Sequence, residues 1–188
     1  AQSMPYRGSV RSSSDGRFVM LQNATPAQSI TVVDRKAEKF VAEIQTPGCW
    51  MIYPAHSVPN RFATLCGDGT MLTITLDDSG MPVQRTKSAK FFDADADALF
   101  VAADQDGDNY TFASYHGKVQ VVNVAGEAAQ AAEPWSLVSA ADAKAGWRPG
   151  GYQPLSLQLA SGRLYVAMHP KGKEGSHKEP AKEIWVFD

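Results

Sequence analysis

A short β-strand module recurs four times along the chain, and this repeat restricts the folds that the sequence can adopt. Each copy begins with a turn and an apolar strand, whose equivalent large side chains are Phe18, Phe62, Tyr110 and Leu164. Successive copies are separated by roughly 45 to 55 residues, which is in the range of propeller blades. Such a chain is expected to build its core by packing similar β-units against one another.

A second strand follows each opening strand and ends at a polar residue. These closing residues are Asp34, Asp77, Asn123 and Asp188. In residues 71–76, a leucine or isoleucine occupies every second position, which is the period of a strand with one buried face. A weaker third strand is expected in the earlier copies, at residues 39–45 and 82–92.

Turn-linked strands in each repeat predict an all-β fold, a β-propeller of about four blades, in a single domain of residues 1–188. An antiparallel sandwich with evenly spaced turns would give a similar strand pattern and stays open as an alternative. Helix signals are sparse. We expect one short helix, with Ser139 as its N-cap and Gly146 just beyond its end.

The charge pattern argues against some classes of partner. Eighteen basic and twenty acidic residues give a net charge of −2, which does not favour nucleic acid or an anionic membrane surface. The longest basic cluster, residues 169–178, also contains glycines and a glutamate, and its composition indicates a solvated loop. No apolar run approaches the ~18 residues that a membrane span requires, so no membrane span is expected.

Five strings in this order resemble one family, the heavy subunit of the tryptophan tryptophylquinone-dependent amine dehydrogenases. The resemblance is closer to the aromatic amine branch than to the methylamine branch. The strings are "PGCWMIYP" from Pro47, "CGDGTMLTITLD" from Cys66, "KFFDADAD" from Lys90, "PWSLVSAADAKAGWRPGGYQP" from Pro134 and "SGRLYVAMHPKGKEGSHKEPAKEIWVFD" from Ser161. The resemblance covers nearly the whole chain.

This resemblance implies a seven-bladed propeller subunit of the periplasm, of which the chain would be an internal piece. It implies a small partner, the light subunit, which carries the tryptophan tryptophylquinone, and a blue copper protein as electron acceptor. The substrate would be a small primary amine, and an aromatic one in the branch that the strings resemble. The catalytic residues would lie on the light subunit, so no catalytic, cofactor-binding or metal-binding residue is expected in this chain.

Two other functional hypotheses stay open. One is a stand-alone propeller that binds a protein or glycan without redox activity. The other is a truncated product with no activity of its own.

Cys49 and Cys66 are the only two cysteines, and the turn between them brings their two strands side by side. Facing cysteines on neighbouring strands can satisfy disulfide geometry, and the resembled family has a bridge at the matching positions. An oxidising periplasm would maintain it. Two free buried thiols, or a metal site, are the alternatives that the sequence leaves open.

The segment "GWRPGGYQP", from Gly146 to Pro154, is the candidate contact with a partner. Its proline and paired glycines predict a turn. Trp147, Arg148 and Tyr152 around that turn have the composition of an interaction hot spot. Packing of Trp147 and Tyr152 between blades is an equally good interpretation of the same residues.

Other candidate residues are better explained by structure than by chemistry. Asp104, Asp106 and Asp108 alternate as in a calcium loop, but the glycine and the glutamate that such a loop needs are out of place. The four histidines form no nucleophile arrangement, and we expect surface or supporting roles for them. The acidic run from Asp93 is expected to be a solvated loop.

Overall fold

The computed structural model describes residues 6–188, and residues 1–5 of the expected domain lie outside the described residues. The first two sheets are antiparallel and contain four strands each in chain order. Sheet 1 contains β1 (Val10–Ser12), β2 (Phe18–Asn23), β3 (Ser29–Asp34) and β4 (Lys39–Gln45). Sheet 2 contains β5 (Cys49–Pro54), β6 (Arg61–Cys66), β7 (Met71–Leu76) and β8 (Pro82–Lys87).

The third and fourth sheets vary this plan. Sheet 3 contains β9 (Asp104–Asp106), β10 (Asn109–Ala113), β11 (Lys118–Asn123), β12 (Gln130–Ala131) and β13 (Trp135–Ser136). Both β12 and β13 pair with β11, so two short pieces form its outer strand. Sheet 4 contains β14 (Arg148–Pro149), β15 (Leu155–Gln158), β16 (Arg163–His169) and β17 (Glu183–Phe187). Here β14, β15 and β17 all pair with β16.

These four consecutive antiparallel sheets confirm the all-β prediction. The four opening strands of the repeat are β2, β6, β10 and β16, and the four second strands are β3, β7, β11 and β17. The weaker third strands are β4 and β8, and β8 ends at Lys87, which is shorter than expected.

The chain divides into two compact units. The first contains the described residues up to Phe92 together with 107–109 and 123–130, and the second contains the remainder. The single-domain expectation therefore stays a prediction.

In the first unit, sheets 1 and 2 share one buried core. Alternate residues of β2, beginning with Phe18 and Met20, point into it, and Ile30 and Val32 of β3 are completely buried. Sheet 2 contributes Phe62 to the same cluster, together with further apolar residues of β6 and β7. Because period-2 alternation places apolar side chains on one face of each sheet, the two faces exclude water from each other.

In the second unit, the apolar core includes Val119 from β11 and Leu155, Val166 and Met168 from sheet 4. The side chains of Trp147, Trp185 and Phe187 are partly buried against this cluster. The core therefore lies on the face of sheet 4 that contains Val166.

The expected short helix is present as α1 (Ala140–Lys144). The Ser139 hydroxyl accepts from the N–H of Asp142, and the Asp142 carboxylate accepts from the N–H of Ser139, each at 3.2 Å. This reciprocal capping box satisfies donors that the first turn would otherwise leave unpaired. Gly146, just after the helix, has φ +78°, which is the left-handed conformation that ends many helices.

Within residues 6–188, no helix is long and apolar enough to cross a lipid bilayer.

Candidate partner-contact surface

The segment from Gly146 to Pro154 is only partly the turn that the sequence predicts. Arg148 and Pro149 form β14 and pair with His169 and Met168 at the end of β16. The chain bends after this strand, and Gly151 adopts φ +103°. The strand was missed because proline lacks an N–H and is ordinarily found at sheet edges or bulges. The correct description is a two-residue edge strand followed by a bend.

Gly150 allows this segment to approach the loop of residues 170–182. A Cβ atom at position 150 would lie 2.5 Å from Cδ2 of His169 and 2.7 Å from the carbonyl oxygen of Glu179. The N–H of Gly151 donates a 2.9 Å hydrogen bond to the carbonyl of His177. Backbone contact therefore holds the loop against the segment.

The structure gives the three predicted contact residues different environments. Trp147 is partly buried and packs against Trp185, with ring centroids 5.2 Å apart. Tyr152 is 55% exposed. Arg148 is half-buried, and a Cβ at Gly172 would lie 2.5 Å from its Cδ, so the loop backbone covers its aliphatic stem. Of the three, Tyr152 is the most exposed, and Arg148 lines a cleft.

The loop of residues 170–182 is not the fully solvated loop that its composition indicates. The hydroxyl of Ser176, a buried residue, donates to the carbonyl of Lys173 at 2.7 Å and accepts from the N–H of Lys173 at 2.9 Å. The His177 ring stacks on Tyr115 at 4.2 Å with an interplanar angle of 11°, and it meets Phe100 edge-on. These contacts anchor the middle of the loop.

Burial lowers the pKa of the His177 imidazole, Lys178 lowers it further, and Glu174 opposes the shift. The Nδ1 atom of His177 is buried without a hydrogen-bond partner among the described residues. This imidazole is therefore held neutral at a pH where an exposed histidine would begin to protonate.

A partly open cleft lies between β14 and this loop. Its walls include the side chains of Tyr115, Arg148, Lys173, Glu174 and His177. The empty space measures about 180 Å³ including the open mouth, but the interior has room for only about one water molecule. Any larger ligand group must therefore bind at the mouth.

The two cysteines form the disulfide that the resemblance implies. Cys49 of β5 faces Cys66 of β6 in the strand register, and their sulfur atoms are bonded. Both residues are 3% exposed. The alternatives of free thiols and of a metal site are therefore wrong.

Two of the three acidic residues that resemble a calcium loop, Asp104 and Asp108, bind backbone N–H groups. The Asp104 carboxylate accepts from the N–H of Leu157 at 2.8 Å. The Asp108 carboxylate accepts from the N–H groups of His56 and Ser57 at 2.7 and 2.9 Å. Across residues 6–188, no three His, Cys, Asp or Glu side chains are grouped to hold a metal ion.

Two further groups show structural roles that the sequence did not specify. Asp97, in the acidic run from Asp93, accepts hydrogen bonds from the Ser114 hydroxyl and the His116 N–H, both at 2.8 Å. His169 is 2% exposed, and its Nε2 has no hydrogen-bond partner within residues 6–188. His169 ends β16, and its burial breaks the alternation of that strand, so the sequence gave no signal for it.

The family model for the methylamine dehydrogenase heavy chain matches residues 3–188. The chain belongs to this family. The methylamine dehydrogenase heavy chain of Methylobacillus flagellatus is 27% identical over 179 residues, covering 94% of this chain and 44% of that protein. The heavy chain of Methylophilus methylotrophus is 26% identical over 176 residues, covering 93% and 42%. The chain thus spans less than half the length of these relatives.

Solved structures support the propeller fold. A functionally unknown protein from Desulfotomaculum acetoxidans matches with a TM-score of 0.61 and 12% identity, covering 93% of this chain and 54% of that one. The β-propeller domain of Cps50 (Swd1) from Myceliophteria thermophila matches with a TM-score of 0.53 and 10% identity, covering 89% and 50%. With the four consecutive sheets, this likeness confirms a partial β-propeller and excludes the sandwich alternative.

Proposed function

We propose that this chain is part of the non-catalytic heavy subunit of a periplasmic quinoprotein amine dehydrogenase. The observation that carries the proposal is the family match across residues 3–188. In this role the propeller is a scaffold that docks a light subunit, and the tryptophan tryptophylquinone is on that light subunit. The quinone would accept electrons from a small primary amine, and a blue copper protein would receive them.

The proposal assigns the quinone to the light subunit, as the family resemblance implies, and gives this chain the tasks of binding and orienting that subunit. Trp147 packs against Trp185, and Trp135 meets Phe187 edge-on at 5.5 Å, so these tryptophans have packing partners within the chain.

Two features support the finer parts of the proposal. The Cys49–Cys66 disulfide suits an oxidising compartment such as the periplasm. The segment with Arg148 and the exposed Tyr152 offers a charged and an aromatic group beside a structured loop, as interaction hot spots often do. We propose this segment as a contact with the light subunit.

The test is native purification of the full-length protein that carries this chain. We expect a small cysteine-rich subunit to co-purify, a visible quinone absorption, and reduction of a redox dye when an amine is added. Faster reduction with an aromatic amine than with methylamine would support the aromatic branch, and the reverse order would refute it. A propeller that purifies alone, with no visible absorption and no amine-dependent activity, would contradict the proposal and favour a stand-alone binding module.

A further inference from the structure

We propose that the cleft between β14 and the loop of residues 170–182 binds a carboxylate group that a partner protein presents. This inference rests on the proposed role of the chain as a docking scaffold, and it specifies the chemistry of one contact. Arg148 would bind the carboxylate at the mouth of the cleft, with Lys173 beside it.

The first argument concerns the guanidinium of Arg148. Among residues 6–188, the structure shows no ion pair or side-chain hydrogen bond for this group. Gly172 covers the aliphatic stem, so the side chain is held by packing and not by a charged partner. An arginine restrained in this way loses little conformational freedom on binding, and its planar fork matches the two oxygens of a carboxylate.

The second argument concerns the charge around the cleft. Arg148 and Lys173 line it, and Lys171 and Lys178 are in the same loop. Glu174 and Glu179 are the acidic residues of the loop, and only Glu174 lines the cleft. The balance is positive, so an anionic group is favoured over a cation or an apolar side chain.

The third argument concerns size. The interior of the cleft has room for only about one water molecule, and the remaining space is the open mouth. A flat carboxylate can lie across this mouth with both oxygens toward Arg148.

The test uses the full-length protein with labelled histidines and acetate as the probe. His177 lines the cleft, so its ring signals report on binding there, and His56, which is remote in sequence, is the internal reference. At constant ionic strength, we expect acetate to shift the His177 signals saturably and to leave those of His56 unchanged. Inorganic phosphate should bind more weakly than acetate, and chloride should give no saturable shift.

Variants separate the charge from the fold. Arg148→Gln should weaken acetate binding by ~10-fold or more, as expected for the loss of a charge-assisted hydrogen bond. Arg148→Lys keeps the charge but loses the planar fork, so its acetate affinity should lie between those of the natural chain and Arg148→Gln. Lys173→Gln removes a positive charge from the cleft and should also weaken acetate binding. Because this side chain is exposed, the substitution should not disturb the fold. Lys144→Gln removes the same charge from α1 and is the matched control, which should bind normally.

An acetate affinity in Arg148→Gln and Lys173→Gln equal to that of the natural chain, phosphate binding tighter than acetate, or the absence of saturation would each overturn the inference. These results do not depend on whether a light subunit co-purifies. If the protein docks a light subunit but binds no acetate, only the carboxylate site is disproved. If it binds acetate but docks no light subunit, only the amine dehydrogenase role is disproved.

Discussion

Cys49 and Cys66 link β5 to β6 where the two residues face each other across the ladder. The cross-link restricts the unfolded chain more than the folded one, so in the chain-entropy model a bridge over a loop of this length contributes about 3 kcal/mol. Replacing both residues with serine should lower the free energy of unfolding by about that amount. Urea unfolding with and without reductant measures it.

The control for this prediction is the reductant itself. Reductant should destabilise the natural chain and leave the serine variant unchanged, because only the natural chain has a disulfide to lose. An identical urea midpoint for both proteins under oxidising conditions would contradict the prediction.

Gly150 is the residue at which β14 approaches the loop of residues 170–182. Gly150→Ala would place a Cβ against the His169 ring and the Glu179 carbonyl, and the latter is backbone that cannot move freely. Overpacking of this kind costs about 1–3 kcal/mol. We expect Gly150→Ala to lower the unfolding free energy by that amount and to increase proteolysis within the loop.

Gly67 provides the matched control for this substitution. A Cβ there would meet its nearest atom, the Gly48 carbonyl oxygen, at 3.8 Å, which is ordinary contact. Gly67→Ala should therefore be close to neutral. If both alanine variants unfold at the same denaturant concentration, the close approach at Gly150 has no energetic importance.

At the scale of the element, the turns explain why a polar residue recurs at the end of the second strand in the repeat. In the first three repeats, the polar residue that ends the second strand binds the backbone of the turn that follows. Asp34 accepts from the N–H of Ala37 at 2.9 Å, and Asn123 accepts from the N–H of Ala125 at 3.1 Å. Side chains of this kind recur because a carboxylate or amide oxygen can satisfy donors that a tight turn leaves unpaired.

Asp77, at the end of β7, allows a pH test of these turns. Hydrogen bonds from the Ser79 hydroxyl and the Met81 N–H hold its pKa below the ordinary value of 3.8. A carboxyl group with a lowered folded-state pKa stabilises the fold above its unfolded pKa, and this contribution is lost as the pH falls through the folded pKa. Asp77→Ala should therefore destabilise the chain at neutral pH.

The destabilisation by Asp77→Ala should shrink as the pH falls below 3.8, because the natural chain then loses the same contribution. Thermal unfolding across that pH range measures the difference. Asp78→Ala, the adjacent exposed carboxylate, is the control and should show a smaller difference. A difference for Asp77→Ala that stays constant with pH would show that the charged carboxylate is not responsible.

The sequence specified the elements whose signals are local. The recurring turn-and-strand module identified β2 and β16, and strand alternation identified β7. The residues flanking α1 identified its two ends. It missed β14 because this strand pairs with His169, which is distant in sequence. Proline and glycine are also uncommon inside strands, so their presence argued against a strand here. It also missed the stacking of His177 on Tyr115, because the composition of a basic, glycine-rich loop does not indicate contact with a distant segment.

At the scale of the whole molecule, each compact unit contains a core between sheets, but sheet 4 has apolar side chains on its other face as well. Ile184 and Val186 of β17 are 60% and 52% exposed. In the register they lie opposite Ala167 and Tyr165 of β16, so the four side chains share one face. Among the described strands, β17 pairs only with β16. An exposed apolar sheet face favours association.

Replacing Ile184 and Val186 together with threonine tests this face. Threonine keeps a β-branched side chain, so β17 should persist, and the unfolding free energy should change little because both positions are already exposed. Self-association of the purified chain, followed by sedimentation velocity at rising concentration, should decrease. Val83→Thr, at a 62% exposed position on β8, is the control for general loss of apolar surface. If the double variant and this control associate equally, the face of sheet 4 is not the cause of association, and another exposed surface must be.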